Sequence, residues 1–231
     1  MATSTVEDYL KVILLHEPSD GSEGLVSMGQ IAAGLGVAPG TVTAMVKTLE
    51  KSGHLRYEPY SGVRLSEQGR KLALHVLRRH RLTELFLVDV LGLDWSEVHE
   101  EAERLEHAMS DKLIDRIDAL LGYPRVDPHG DPIPDARGEL RSSQLISLAD
   151  CEPGARYRVA RVGDQREAFL RFVEDHGLKP GAGLSVIRRD PLADAITVRA
   201  EDGVETTFGR EAAAKLWVEP VRREQPRRTS R

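Results

Sequence analysis

The hydrophobic periodicity of this chain changes once, across a connector rich in proline and glycine, "GYPRVDPHGDPIPDARGEL". Before the connector, apolar residues recur at helical spacing, with one short interruption. After it they alternate in brief runs, "ARYRVARV", "LSVIRR", "AITVRA", "VETTF" and "KLWVEPV", separated by turns such as "KPGAG" and "EDG". A period near 3.6 buries one stripe of a helix, and a period of 2 buries one face of a strand. The two parts therefore build separate cores. The expected fold class is mainly α, with a small β-barrel closing the chain.

Helix 1 is expected from "STVEDYLKVILLHE", with Ser4 as N-cap and Glu7 completing a capping box, and it stops before Pro18. After the polar loop "PSDGSEG" come two short helices, about Met28 to Leu35 and Gly40 to Ser52, separated by "GVAP". That spacing is a helix-turn-helix. "HLRYEPYSGVRLSEQG" reads as a hairpin turning at Pro59 to Gly62, and Glu67 to about Val90 as a long helix broken by "GLDW". A second long helix is expected from an N-cap at Ser96 to about Leu121, and one amphipathic helix, "REAFLRFVEDHG", lies among the later strands. The implied divisions are 1–74, a winged helix-turn-helix; 75–140, a helical domain; 141–222, the small barrel; and 223–231, a disordered basic tail.

Net charge is −5, yet the charge is segregated. Between Pro39 and Leu82 nine lysines and arginines face three glutamates, whereas between Asp94 and Asp118 nine acids face three bases. The first stretch suits a polyanion and the second suits cations. In a helix-turn-helix the second helix enters the major groove by its N-terminal end, which here starts "APGTVTAMVK". Pro39, Thr41, Thr43 and Lys47 are the candidate contacts on that helix, while Val42, Met45, Val46 and Leu49 form its buried face. Arg56, Tyr60 and Arg64 on the hairpin are placed to meet the DNA backbone, which positions the domain without reading sequence.

The acidic stretch "VHEEAERLEHAMSD" concentrates potential ligands. At about 100° per residue, His99, Glu103, Glu106 and His107 share one sector of a helix beside the apolar stripe of Val98, Ala102, Leu105 and Met109. Like charges crowded at a core edge lose hydration and repel, and a divalent cation offsets both. On the preceding helix His80 and Glu84 form another i, i+4 pair able to face one ion. His16, His54, His75, His129 and His176 lack such company and are assigned structural roles. The single cysteine, Cys151, excludes an internal disulfide and a cysteine-rich zinc site, so ligands must be oxygen and imidazole.

"VEDYL", the winged helix, "RRHRLTELFL", "VHEEAERLEHAMSD" and "DPHGDPIP" together resemble the diphtheria toxin repressor family, including its manganese transport regulator branch. The likeness covers residues 4–140, and more loosely Leu145 to Val221 as an SH3-like third domain. It implies a metal-activated, homodimeric repressor of metal-uptake genes that binds double-stranded operator DNA, with 75–140 serving dimerisation. By that resemblance Asp8, Glu103, Glu106 and His107 form a primary metal site, and His80, Glu84 and His99 an ancillary one, to which Gln165, beside Asp164, adds a ligand. Carboxylates at Asp8 and Glu103, where the iron-responsive branch carries sulfur ligands, imply Mn2+, with Fe2+ as the alternative. Lys11 stands where some relatives carry a glutamate, which implies two separated sites instead of a coupled two-metal cluster. The seam of Leu105, Met109, Leu113 and Ile117, with Leu85 and Leu87, is the expected dimer contact.

The readings from other classes are a metal-dependent hydrolase and a winged helix that ignores metal. "ERLEH" lacks the paired histidines of helical zinc proteases, and no separate base or oxyanion motif accompanies it, so no enzyme activity or small-molecule substrate is expected. No apolar run approaches the ~20 residues of a membrane span, and the N-terminus lacks a basic-apolar leader, so a cytoplasmic location without membrane association is expected.

Overall fold

The computed structural model describes residues 3–18, 24–140 and 144–221. Most of the expected "PSDGSEG" loop and the basic tail lie outside these residues. The chain forms two compact units: Met1–Thr83 with Glu103–Tyr123 and Ile133–Leu140, and Glu84–Ala102 with Pro124–Pro132 and Arg141–Arg231.

In the first unit, α1 (Ser4–His16), α2 (Met28–Leu35) and α3 (Pro39–Lys51) surround a core of Leu10, Ile13, Ile31, Val42, Val46 and Leu49. The N-cap of α1 is Thr3, whose hydroxyl accepts from Val6 N, so the expected Ser4 and Glu7 capping box is replaced and Glu7 is released for another role. α2 begins with a true capping box between Ser27 and Gln30 and ends on Gly36 in the left-handed conformation. α3 starts one residue earlier than expected because Pro39 suits the first helical position, where no N–H is needed.

The hairpin is β1 (Leu55–Glu58) and β2 (Gly62–Leu65), antiparallel, with Arg56 opposite Arg64. Val26 bridges Val63 through hydrogen bonds of 2.8 and 2.9 Å, anchoring the wing to the segment before α2. Gly62 makes that approach possible: at φ +148° a Cβ would stand 2.5 Å from the Val26 carbonyl oxygen.

α4 (Glu67–Asp89) follows as expected. The second long helix does not form as one piece: it is α5 (Val98–Glu106) and α6 (Asp111–Leu120). Ser110 causes the break, its side chain capping α6 by accepting from Leu113 N. Ser96 is no N-cap either; its backbone N–H and hydroxyl both donate to Asp94 in the preceding turn.

In the second unit the strands are β3 (Ile146–Ser147), β4 (Arg156–Val162), β5 (Gly183–Asp190), β6 (Ala195–Ala200), β7 (Glu205–Gly209) and β8 (Leu216–Pro220), with α7 (Glu167–Asp175) and the short α8 (Arg210–Ala213). They form one antiparallel sheet in the order β3-β8-β4-β5-β6-β7. β3 and β7 end the order unpaired with each other, so the expected barrel is an open sheet, bent by bulges in β4 and β5. Its inner face packs Val159, Leu170, Val173, Leu184, Val198, Phe208 and Leu216 around Trp95. "Mainly α" therefore describes the first unit and not the second, a difference set by the alternating apolar pattern after the connector.

Candidate metal centre

Three residues distant in sequence converge in the first unit. Asp8 of α1, Glu106 at the end of α5 and His107 just beyond it each present a ligand atom within 4.8 Å of the others. His107 Nε2 is 2.8 Å from Asp8 Oδ1 and 3.3 Å from Glu106 Oε1. These are three of the four expected primary ligands. The fourth, Glu103, lies alongside, and it shares with Glu106 a partner that carries charge of its own. Lys11, 4% exposed and one turn after Asp8, donates to Glu103 Oε1 and Glu106 Oε1, both at 2.7 Å. His80, expected in the ancillary set, instead approaches Glu106 Oε2 at 2.6 Å.

The charges explain one another. Burial by itself would lower the Lys11 pKa, but the charges of Glu106 and Glu103 and the hydrogen bonds to them hold it above its usual range. Burial pushes the Glu106 carboxyl up, and His80 and Lys11 together bring it below the ordinary value. For Asp8 burial wins and the pKa is raised, despite His107 and Lys11.

Glu7 was missed by the sequence reading, which spent it on a capping box. It accepts from His107 Nδ1 at 2.8 Å and from Arg79 at 3.0 Å. A carboxylate behind the imidazole fixes the ring and its tautomer, leaving Nε2 to face Asp8 and Glu106, the usual support for a metal-bound histidine. Burial lowers the His107 pKa, yet the hydrogen bond to Glu7 and the charges of Asp8 and Glu106 together raise it above its usual value. A cation at Nε2 must displace one proton. Mn2+ affinity is therefore expected to fall as pH drops through the raised His107 pKa, measured by calorimetric titration. A flat profile would remove His107 from the ligand set.

The second unit holds another set. Glu84 of α4, fully buried, is 3.1 Å from His99 Nδ1 through Oε1, and its Oε2 lies 3.9 Å from His129 Nδ1. Glu84, Asp127 and His129, all buried, bring one ligand atom each within 4.8 Å of one another. His129, expected to be structural, thus belongs to a candidate donor set. Its Nε2 is 2.8 Å from the Trp95 carbonyl, which only accepts, so Nε2 carries a proton and donates it. His129 is 0% exposed and its Nδ1 has no hydrogen-bond partner. A buried Nδ1 without a hydrogen bond, 3.9 Å from Glu84 Oε2, fits a cation held between the imidazole and the carboxylates. Asp127 uses Oδ1 to accept from His129 N and Asp131 N, which sets the loop. The signal was present in "DPHGDP", where Asp127, His129 and Asp131 alternate with proline and glycine. Gln165 donates to Asp131 at 3.1 Å, and Asp164 is engaged by Arg166 and Lys215. Arg166 first and Lys215 hold the Asp164 carboxyl at about 2.

In the helix-turn-helix, Thr41 and Lys47 are exposed on α3, and Pro39 opens it. Thr43 is half-buried, and its hydroxyl donates to the Pro39 carbonyl at 3.1 Å, leaving only its acceptor lone pairs for a base. Tyr60, at φ 67°, stands fully exposed at the tip of the wing. Arg56 and Arg64 are direct cross-strand neighbours, and Arg64 lies 3.7 Å from Glu58. Two cations facing each other cost stability in isolation and are compensated by a polyanion.

These features define a class: winged-helix proteins in which a cluster of carboxylate and imidazole donors engages the first helix of the DNA-binding fold. Comparison with known proteins places the chain within it. Residues 1–63 match the model of the iron dependent repressor N-terminal DNA binding domain, 66–135 that of the iron dependent repressor metal binding and dimerisation domain, and 146–220 that of the FeoA domain. The iron-dependent repressor IdeR of Mycobacterium leprae is 33% identical over 208 residues, covering 84% of this chain and 88% of the relative. The IdeR of Mycobacterium bovis is 42% identical over 131 residues, 56% of this chain; the chain spans only 55% of that relative's length. A solved manganese-dependent transcriptional repressor in complex with manganese superposes with a TM-score of 0.85 at 39% identity, covering 94% of this chain and all of the other. The chain belongs to the diphtheria toxin repressor family. Among the described residues no single helix is long and apolar enough to cross a membrane.

Proposed function

We propose that this chain is a manganese(II)-activated repressor that binds operator DNA of metal-uptake genes as a homodimer in the cytoplasm, and that it is a regulator and not an enzyme. The observation that carries the reading is the convergence of Asp8, Glu106 and His107, an oxygen-rich donor set without sulfur joining α1 to α5. Bound there, the ion supplies a positive centre shared by all three side chains. Asp8 and Lys11 hold α1, and Leu10 and Ile13 of the same helix pack in one core with Val42 and Val46 of α3. A change in how α1 is held is thereby passed to the reading helix. Metal and DNA then raise each other's affinity, with a coupling of about 1–3 kcal/mol.

Glu84, Asp127 and His129, with His99 beside Glu84, supply a second site, which adds Asp127 and His129 to the Glu84 and His99 expected in the ancillary set. Residues 1–74, 75–140 and 141–222 serve as reading head, metal-binding and dimerising part, and accessory domain. The dimer seam is revised too: Ile117 and Leu87 are buried in their own cores, whereas Leu105, Leu113, Leu120 and Tyr123 stay exposed on the first unit.

Fluorescence anisotropy of operator DNA with Mn2+, Fe2+, Zn2+ and chelator tests this directly. Tight binding with Mn2+ and its loss under chelator are expected. The same donors also suit Fe2+, and relatives are named iron-dependent, so activation by Fe2+ well beyond that by Mn2+ would select the iron reading. Binding indifferent to chelation would end both. Arg56→Ala and Arg64→Ala should each weaken binding to all sequences alike and reduce the salt slope by about one, measured by titration across salt. An unchanged slope would take the wing off the phosphates.

A further inference from the structure

Residues of the first unit, none of them a metal donor, enclose a cavity of about 360 Å³ between the corner joining α3 to β1, α4 and the turn at 135–138. His54 supplies the corner and Arg137 the turn, while Gln68, Lys71 and His75 repeat at helical spacing on one face of α4. Leu72 and Ala136 add an apolar lining. We propose that this cavity is an effector site for a small phosphate monoester whose remaining part carries hydroxyl groups. Binding there is independent of the metal sites, and its effect on DNA rests on the function proposed above.

Charge sets the sign of the ligand. Lys71, Arg78 and Arg137 line the cavity against the one carboxylate of Asp135. Arg78, 7% exposed, is committed to Asp118 at 2.8 Å and to the Pro134 carbonyl at 3.1 Å, which fastens the turn to α4. Among the described residues, the Lys71 ammonium and the Arg137 guanidinium make no hydrogen bond or ion pair, so both are available to a ligand. Donors arriving from three separate segments surround a tetrahedral oxyanion with three acceptor oxygens better than a planar carboxylate, which one fork of donors meets. A bare phosphate leaves most of the volume empty, whereas cavities of this size hold small organic molecules. Asp135 suits the hydroxylated part. Its Oδ1 accepts from Arg137 N at 2.8 Å and Glu139 N at 2.9 Å, closing the turn, and its Oδ2 is open to a hydroxyl donor. Position argues against a DNA phosphate as the occupant. α3 meets a groove by its Pro39 end, and its 13 residues set the His54 corner about 20 Å behind that end. Tyr60, at the wing tip, is at the opposite end of the hairpin from Leu55, which follows His54. An ester bound at the corner joins α4 and the 135–138 turn to the point from which α3 and the wing both issue.

The full chain is titrated calorimetrically with ribose 5-phosphate, glycerol 3-phosphate, inorganic phosphate and ribose, as wild type and as Lys71→Ala and Arg137→Ala, both exposed positions. At least one ester is expected to bind with a Kd below about 1 mM, about tenfold or more tighter than inorganic phosphate, with ribose silent and each substitution weakening the ester about tenfold. Saturating ester is expected to change operator affinity about threefold or more in the wild type, read by anisotropy at fixed Mn2+, and to leave both variants unchanged. Failure of both esters to bind, binding that survives both substitutions, or operator affinity indifferent to the ester overturns the proposal. So does a fall of about one in the salt slope of operator binding in either variant without ester binding, which would give the cavity to the DNA backbone. If the chain bound no operator with any metal, the proposed function would fail, and calorimetry would still decide the site.

Discussion

Glu106→Gln is expected to abolish Mn2+-stimulated DNA binding, with Mn2+ affinity at this site falling by about 100-fold or more. Even ligand-supporting groups one shell further out cost 10–100-fold when removed. Glu106 is 0% exposed and touches Lys11, His80 and His107, so its charge is central to the cluster. Glutamine keeps the size and an accepting oxygen while removing the charge. Glu106→Ala should behave differently, because it leaves the buried Lys11 with one carboxylate fewer; breaking a buried pair costs about 3–5 kcal/mol. Anisotropy titration reads the first effect and thermal unfolding in chelator the second. If Glu106→Gln retained Mn2+-dependent binding within about threefold, the ion would have to sit elsewhere.

Gly130→Ala is the second large effect. Gly130, at φ +86°, directly follows His129, and a Cβ there would stand 1.9 Å from the Ala160 carbonyl oxygen of β4. That atom is backbone in a sheet and cannot rotate away. Nearby, Val162 N donates to the His129 carbonyl at 2.9 Å, so the loop carrying Asp127 and His129 is fastened to β4. Strain of this kind costs about 3 kcal/mol or more, and relief requires the loop to leave the sheet. The expected outcome is lower stability of the second unit and the loss of one bound metal per chain, with the Asp8 site still loaded. Calorimetric unfolding and metal counting measure both. A variant of normal stability with a full metal count would show that the loop is neither strained nor a ligand carrier.

The helix-turn-helix was legible because its punctuation is local: a serine cap, a left-handed glycine and a proline at the first helical position each act within a few residues. The later strands were legible for the same reason, through alternation. The break between α5 and α6 was also written locally, in Ser110, but the continuous apolar spacing across it concealed the cap. As a result His99 and His107 read as sharing one helix face, although His107 lies beyond the helix end. The open sheet was not legible, since closure depends on whether the first and last strands meet, which no single strand encodes.

The chain's own order of residues determined which chemistry is available: hard oxygen and imidazole donors, one cysteine, basic residues gathered on the reading head and its wing, and a family resemblance that the comparisons establish. Tertiary structure alone decided who shares a site. It put Glu7 behind His107, drew His80 to Glu106, placed Lys11 between Glu103 and Glu106, and joined Glu84 to a histidine in a loop. The physical reason is that ligation and ion pairing act over a few ångströms in space between groups tens of residues apart in sequence, and only packing of the core brings those groups within reach.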